Sequence, residues 1–497
     1  MSQKSTTGRL LSNSIIYTAS GLLLKCFSFF LLPLYTAYLT TEDYGITSVA
    51  TSFITTMSYI VALSSFSSVM RFYVDLKENP QKLKRFYGTI ISFVFLSGAF
   101  WGVLLTIFRA PLSKYVFSGA DFFPVILICL ISLVFNCQHT VYSTILRSQQ
   151  RAIKVSVLNV AYFFLSLGLN ILFVVVLKRG ATGVLLATMI SNVLYTLFFL
   201  LDVCIKKEII VCFDFKILKD SLKYSLPILP HNLSTQIAVL ISKVLIGGTA
   251  SLASLGIYSV ATQFGNIADT IQNYVDQAYA PWLYEKLKNR DLIYKKTIRK
   301  NASLLCACIG LFFIGLSLFA QDYIVLLVEK SYIEAWKYVP LIVSVYAIKT
   351  MYYFYVALLL YHKKASKSLF IATLSSSLLN IVLSYFAIPL WGVYGSILAD
   401  AIAMIVRVAI VVGISKKLED IGLYVRDFIL NFAIVETFIF GGLALSYLKF
   451  PYSFSVWNFV YKIVVVILYV FLVLLRFKTE IKFFLNTRRK NKIKGEV

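Results

Sequence analysis

Apolar positions along this chain gather into long runs separated by short polar or basic segments. A helix needs about 20 largely apolar residues to cross the hydrocarbon of a membrane. Fourteen windows meet that requirement, near 11–38, 46–74, 86–108, 122–146, 155–177, 183–205, 224–248, 256–284, 302–320, 339–361, 369–388, 393–415, 428–448 and 457–475. The pattern predicts an all-α polytopic membrane protein with about 14 transmembrane helices. The first window follows MSQKSTTGR, is too long for a signal-peptide core and has no A-x-A-like cleavage site behind it, so it is expected to be a retained helix.

Composition agrees with the pattern. Of 497 residues, 59% are hydrophobic and 14% charged, against roughly 45–50% and about 25% in soluble domains. The net charge of +25 raises the question of nucleic acid, and the positions of the basic residues answer it. With the N-terminus inside, the outer loops hold only seven Lys or Arg: Arg109, Lys114, Lys178, Arg179, Lys330, Lys337 and Lys449. The cytoplasmic segments hold 35, with clusters at Lys82–Arg85, Lys206–Lys207, Lys286–Lys300 and the tail RRKNKIK. That is the positive-inside asymmetry, and it places both termini in the cytoplasm. No soluble domain is available for a nucleic-acid groove. The seven cysteines carry no C-x-x-C pair and read as small hydrophobes.

Six basic residues fall inside the windows: Lys25, Arg71, Lys243, Lys349, Arg407 and Lys462. Each costs about 2.5–3.5 kcal/mol at a helix centre on insertion scales. Arg71 and Lys462 stand near window ends, where snorkelling to the interface is the simple account. Lys25, Lys243, Lys349 and Arg407 stand near mid-window and need a hydrated cavity or an acidic partner. The acids clearly within the windows are Asp269, Asp276, Asp400 and Glu436. The balance of six bases to four acids favours an anionic cargo, whose lost hydration ammonium and guanidinium groups replace.

The chain also repeats itself. YGITSVATSF at 44–53 returns as LGIYSVATQF at 255–264, LNI at 169–171 returns at 379–381, and GATGVLLA at 180–187 returns as GVYGSILA at 392–399. The offsets are 211, 210 and 212 residues. Three anchors in one order at a nearly constant spacing announce an internal repeat of six helices. An even number of helices per copy gives both copies the same orientation, as in transporters whose central site lies between two lobes. The expected organisation is an N-lobe at 1–205, a cytoplasmic linker at 206–223, a C-lobe at 224–415, helices 13 and 14 at 416–477 and a basic cytoplasmic tail at 478–497.

The N-terminal helix followed by LTTEDYG at 39–45, the plan of twelve helices plus two, and the paired LN and G-x-x-G-x-x-x-A phrases resemble the Wzx-type polysaccharide flippases of the multidrug/oligosaccharidyl-lipid/polysaccharide exporter superfamily, over the whole chain. The resemblance implies a V-shaped two-lobe fold that moves undecaprenyl-pyrophosphate-linked oligosaccharide units across the bacterial inner membrane, for O-antigen, capsule or another surface polysaccharide. It also implies a cationic central cavity, to which Lys25, Arg71, Lys243, Lys349 and Arg407 are assigned as substrate-binding candidates. The bilayer is the medium, and a polysaccharide polymerase and a chain-length regulator are the partners it suggests.

The eighth window is the most polar. In QFGNIADTIQNYVDQAYAP, Gln263, Asn266, Asp269, Thr270, Asn273, Asp276 and Gln277 recur at spacings of three and four and cover about half a helix circumference. Asn266, Asp269, Asn273, Asp276 and Asp400 are candidates for a polar cavity wall or for coupling to a proton or sodium gradient; a seam of side-chain hydrogen bonds between helices fits the same residues. Pro227 and Pro230 predict a kink at the start of the seventh window, and His231 beside them reads as a packed histidine. The tyrosines around Lys349 could stack on sugars, although interfacial belts account for most tyrosines.

No cofactor or metal is expected. There is no P-loop and no H-E-x-x-H. A polytopic sugar polymerase or glycosyltransferase is the alternative from another class, but it needs a substantial extramembrane domain, and the longest outer connection here is about 321–338. Within the superfamily, a lipid II flippase and a multidrug antiporter remain the other readings.

Overall fold

The computed structural model describes residues 20–25, 27–362 and 366–478. The start of the first window, Cys26 and the basic tail beyond Lys478 lie outside the described residues. Among the described residues the secondary structure is helical, and its main helices are α1 (Ser20–Tyr38), α2 (Thr41–Val61), α3 (Ser65–Leu76), α4 (Pro80–Ile107), α5 (Leu127–Ser148), α6 (Ala152–Asn170), α7 (Gly180–Ile205), α8 (Phe215–Ser225), α9 (Leu229–Leu245), α10 (Leu252–Asn289), α11 (Tyr294–Leu327), α12 (Ala335–Tyr361), α13 (Ser366–Leu418), α14 (Val425–Gly442) and α15 (Val456–Arg476). Among the described residues, twelve helices are long and apolar enough to cross a membrane. One of these, α13, is 53 residues long and breaks at Gly392 into two spans, and the polar α10 accounts for the fourteenth window. The protein is a multi-pass membrane protein. Two compact units are formed, one by residues up to Ser259 with Thr373–Ala399, the other by Val260–Ala372 with the chain from Asp400 on.

The repeated phrases have local causes. At the start of α2, the Thr40 hydroxyl accepts from the Asp43 amide while the Asp43 carboxylate accepts from the Thr40 amide, which is a capping box. The same carboxylate accepts from the Ala181 amide at 2.9 Å, so one aspartate caps the first turns of both α2 and α7. Gly180 has φ +53° and a Cβ there would meet the Asp43 carboxylate at 2.8 Å. Gly392 has φ +55°, and three residues on, a Cβ at Gly395 would stand 2.2 Å from the Ala387 carbonyl, as one at Gly183 would stand 2.9 Å from that of Phe173. Both G-x-x-G phrases therefore encode a left-handed turn followed by a close backbone approach, which only glycine permits.

The first phrase is closer still, because its two copies touch each other. A Cβ at Gly45 would lie 2.1 Å from the Leu252 carbonyl oxygen, and one at Gly256 would lie 1.9 Å from that of Thr41. The hydroxyls of Ser48 and Ser259, also related by the 211-residue offset, are 2.7 Å apart. The contact is self-complementary, in the manner of an isologous interface within one chain, and small residues let the two backbones meet.

Four expectations are corrected. The window at 46–74 is not one helix: Leu63 and Ser64 take positive φ values of 47° and 54° and divide α2 from α3. The window at 224–248 begins at Leu229, with Pro230 in the first turn where its missing N–H costs nothing. Lys462 does not snorkel. It is fully buried, and its ammonium donates to Asp322 Oδ2 and to Gln321 Oε1, each at 2.7 Å. Gln321 and Asp322 belong to α11, which runs on to Leu327, so the outer connection expected at 321–338 is shorter. Asn458 donates to Gln321, and the Gln321 amide donates to the Phe450 carbonyl, which ties α15 to α11. Lys462→Leu should cost about 3–5 kcal/mol by leaving the Asp322 charge buried and unpaired, whereas Lys462→Leu with Asp322→Leu should recover most of it. Thermal unfolding of the purified variants checks this; equal losses in the single and double variants would contradict it.

Candidate functional site

The unit that takes in most of α10 holds a polar cluster made by α10 and α12. Glycine brings the two helices together: a Cβ at Gly265 would meet Ile342 at 2.7 Å and the Tyr346 ring at 2.9 Å. Gln272, 1% exposed, then fixes their register, its amide donating to the Tyr346 carbonyl and to the Thr350 hydroxyl, both at 2.7 Å. One turn away, the Lys349 ammonium reaches Asp269 Oδ1 at 2.5 Å. Asn273 donates to Asp269 Oδ2 at 3.2 Å, and the Tyr353 hydroxyl donates to Asn273 Oδ1 at 2.9 Å. Lys349 also stands over the rings of Tyr346 and Tyr353, 5.6 and 5.2 Å from their centres. The carboxylate is thus held by an ammonium and an amide, and the ammonium by a carboxylate and two π faces.

Of the residues marked from sequence, Lys349, Asp269 and Asn273 converge here. Arg407 and Asp400, on the second half of α13, belong to the same unit. Asp276 lies one turn beyond Asn273 and lines a small cavity against Tyr353 and Thr350. Asn266 is exposed and donates to Gln263 at 3.5 Å.

The remaining basic candidates sit in the other unit, in three separate settings. Lys25 is exposed on α1. Arg71, exposed on α3, pairs with Asp75 one turn later at 2.6 Å. Lys243 on α9 donates to the Ser48 carbonyl at 3.4 Å, next to the contact between the two copies of the repeated phrase.

Gln272 is the site residue that sequence reasoning missed. It stands beside the polar stripe of α10, and the signal that could have found it is its spacing with Asp276 and Tyr279, at i, i+4 and i+7 on one face.

Beside the polar cluster, α12 turns its other flank to an apolar cavity of about 440 Å³. Ile348 and Met351 of α12, Phe313 of α11, Val412 of α13 and Phe428 of α14 line it. Lys349 and this cavity therefore share a single turn of one helix.

A family model described as "Polysaccharide biosynthesis protein" matches residues 10–287. No curated protein matches the sequence. Among solved structures, the lipid II flippase MurJ in an inward closed conformation has a TM-score of 0.71 at 16% identity, covering 94% of this chain and 100% of that one. A multidrug resistance MATE family transporter of the MOP superfamily, in its inward-facing conformation, has a TM-score of 0.61 at 16% identity over 81% of this chain and 94% of the other. The Vibrio cholerae MATE transporter VcmN in its bent form has a TM-score of 0.52 at 14% identity, over 86% and 99%. At these identities the likeness establishes the fold, that of the superfamily's transporters.

Proposed function

Since the chain belongs to the polysaccharide biosynthesis protein family, we propose that it is a flippase for lipid-linked oligosaccharide repeat units. Its cargo is an undecaprenyl-pyrophosphate-linked oligosaccharide, moved by alternating access from the cytoplasmic to the outer leaflet of the bacterial inner membrane for surface polysaccharide synthesis. Both termini lie in the cytoplasm.

The observation that carries this reading is the pairing on α12 of the Lys349 ammonium with the apolar cavity beside it. An amphiphile with an anionic head and a long hydrocarbon tail asks for those two environments side by side. Before cargo binds, Asp269 neutralises Lys349, so no bare charge is left in the membrane. A pyrophosphate brings more negative charge than one carboxylate and competes for the ammonium, while Asn273 remains a hydrogen-bond donor to the carboxylate. Arg407, in the same unit, adds a second cation with a bidentate fork. Tyr346 and Tyr353 offer ring faces to sugars. The family membership and the basic site together favour this cargo over the cations that a multidrug antiporter takes.

Deletion of the gene tests the reading. Surface polysaccharide should disappear while undecaprenyl-linked units accumulate on the cytoplasmic face, and the chain carrying its own sequence should restore both. Loss of viability with accumulated cell-wall precursor would instead mark a lipid II flippase.

A further inference from the structure

The connection between α7 and α9 turns apolar and basic side chains outward at one level of the molecule. Residues 209–214 run along the first turns of α4. The Ile210 amide donates to the Lys84 carbonyl at 3.2 Å, the Cys212 thiol to the Arg85 carbonyl at 3.5 Å, and the Asp214 amide to the Thr89 hydroxyl at 3.3 Å. A Cβ at Gly88 would stand 1.9 Å from the Ile210 carbonyl oxygen, so backbone packs on backbone. Residues 210, 212 and 214 are thus tied to α4, while the alternate residues Val211, Phe213 and Phe215 are 79%, 48% and 73% exposed. That is the period of two of an extended chain. The Asp214 carboxylate then accepts from the Lys216 and Ile217 amides and starts α8. Helix α8 buries Leu218, Ser221 and Ser225, with the Ser221 and Ser68 hydroxyls 2.6 Å apart. Its other face carries Lys216, Lys219 and Lys223, all exposed and without an ion-pair partner among the described residues, against one exposed acid, Asp220.

We propose that this connection is a membrane-surface anchor, in which Val211, Phe213 and Phe215 enter the acyl boundary and Lys216, Lys219 and Lys223 hold anionic phospholipid headgroups. Helix α4 supplies the depth. Its apolar run begins at Phe86, directly after Lys82, Lys84 and Arg85, and the connection is bonded to residues 84–89, astride that change. Basic side chains giving way to apolar ones mark the level at which headgroups meet hydrocarbon. A short amphipathic helix with large apolar residues at one end and lysines along its polar face is suited to lie in that layer. Charge complementarity selects the lipid, since each lysine near an anionic surface is worth about five-fold in binding. The leaflet is the cytoplasmic one on the topology proposed above. Because Gly88 and the Ser68–Ser221 contact fix the connection to α4 and α3, the anchor holds the first unit at a set depth.

Fluorescence quenching by brominated lipids tests the anchor in the full-length chain, without cargo. Phe213→Trp places a reporter at a half-exposed position, and its thermal unfolding in detergent should match the wild type. In vesicles of phosphatidylcholine and phosphatidylglycerol, bromines near the headgroup end of the acyl chain should quench this added tryptophan beyond the quenching of the native ones. Bromines near the bilayer centre should quench it less. The effect should grow with the phosphatidylglycerol fraction. Lys216→Gln, Lys219→Gln and Lys223→Gln together should raise the fraction needed for half the effect at least about five-fold. No added quenching at any lipid composition would overturn the proposal and leave these residues to a protein partner or to water. Quenching that is the same in pure phosphatidylcholine and unchanged by the three substitutions would also overturn it, since no anionic headgroup would then be held. Neither result bears on the flippase reading, because no cargo enters either measurement.

Discussion

In cells that carry Lys349→Ala as their only copy, surface polysaccharide should fall at least about ten-fold, with the protein still inserted and lipid-linked units accumulating. The loss of a charge-assisted contact is worth about 1.5–3 kcal/mol, or roughly ten- to a hundred-fold in occupancy. Two effects compound here, since the ammonium is lost to the cargo and the Asp269 carboxylate is left facing it. Lys349→Arg should keep part of the activity, because it keeps the charge and changes its geometry. The competing explanation is that Lys349 only neutralises Asp269, 2.5 Å away. In that case Lys349→Leu with Asp269→Leu should restore export, as apolar replacement of an ion pair is often tolerated. The flippase account expects stability to recover in that double variant and export to stay lost. Recovered export would take Lys349 out of the site.

The second large effect is steric. Any side chain at Gly45 or Gly256 must share space with a backbone carbonyl, because a Cβ would stand 2.1 Å from Leu252 O or 1.9 Å from Thr41 O. Backbone cannot rotate aside as a side chain can, so Gly45→Leu and Gly256→Leu should cost at or above the upper end of the about 1–3 kcal/mol typical of overpacking. The control is Gly168→Ala on α6, where nothing lies within 4 Å of the new methyl and the helix should gain roughly 0.5–1 kcal/mol. Thermal unfolding should therefore move in opposite directions in the two cases. A Gly256→Leu protein as stable as the wild type would mean that the two copies of the repeated phrase do not touch.

Much of this architecture could be read from sequence because its cause is local. A span needs its own apolar residues whatever its neighbours are, so the windows emerged one by one. The glycines of GATG and GVYG were visible as echoes for the same reason, each answering a turn in its own vicinity. What stayed hidden was set by partners distant in the chain. Nothing near Gly45 says that it lies against Leu252, or that Ser48 meets Ser259. Lys462 read as an interfacial lysine because its partner, Asp322, sat just past the edge of another apolar window. The break at Leu63 and Ser64 carries neither glycine nor proline, so no residue announced it. At the site, Lys349 and Asp269 were both marked, yet their pairing across 80 residues of sequence waited for the packing of α10 on α12. Gln272 was passed over because it faces α12 beside the polar stripe and its register role exists only in the folded protein.

Translocation by the purified chain tests the central claim most directly. Vesicles reconstituted with the protein and a fluorescent undecaprenyl-pyrophosphate-linked oligosaccharide, distributed over both leaflets, are treated with a membrane-impermeant quencher. With the wild-type chain, the fraction protected in the inner leaflet should decay as lipid flips outward, and with Lys349→Ala it should persist as in protein-free vesicles. Protection that persists with the wild type, or decays equally fast with Lys349→Ala, would contradict the account.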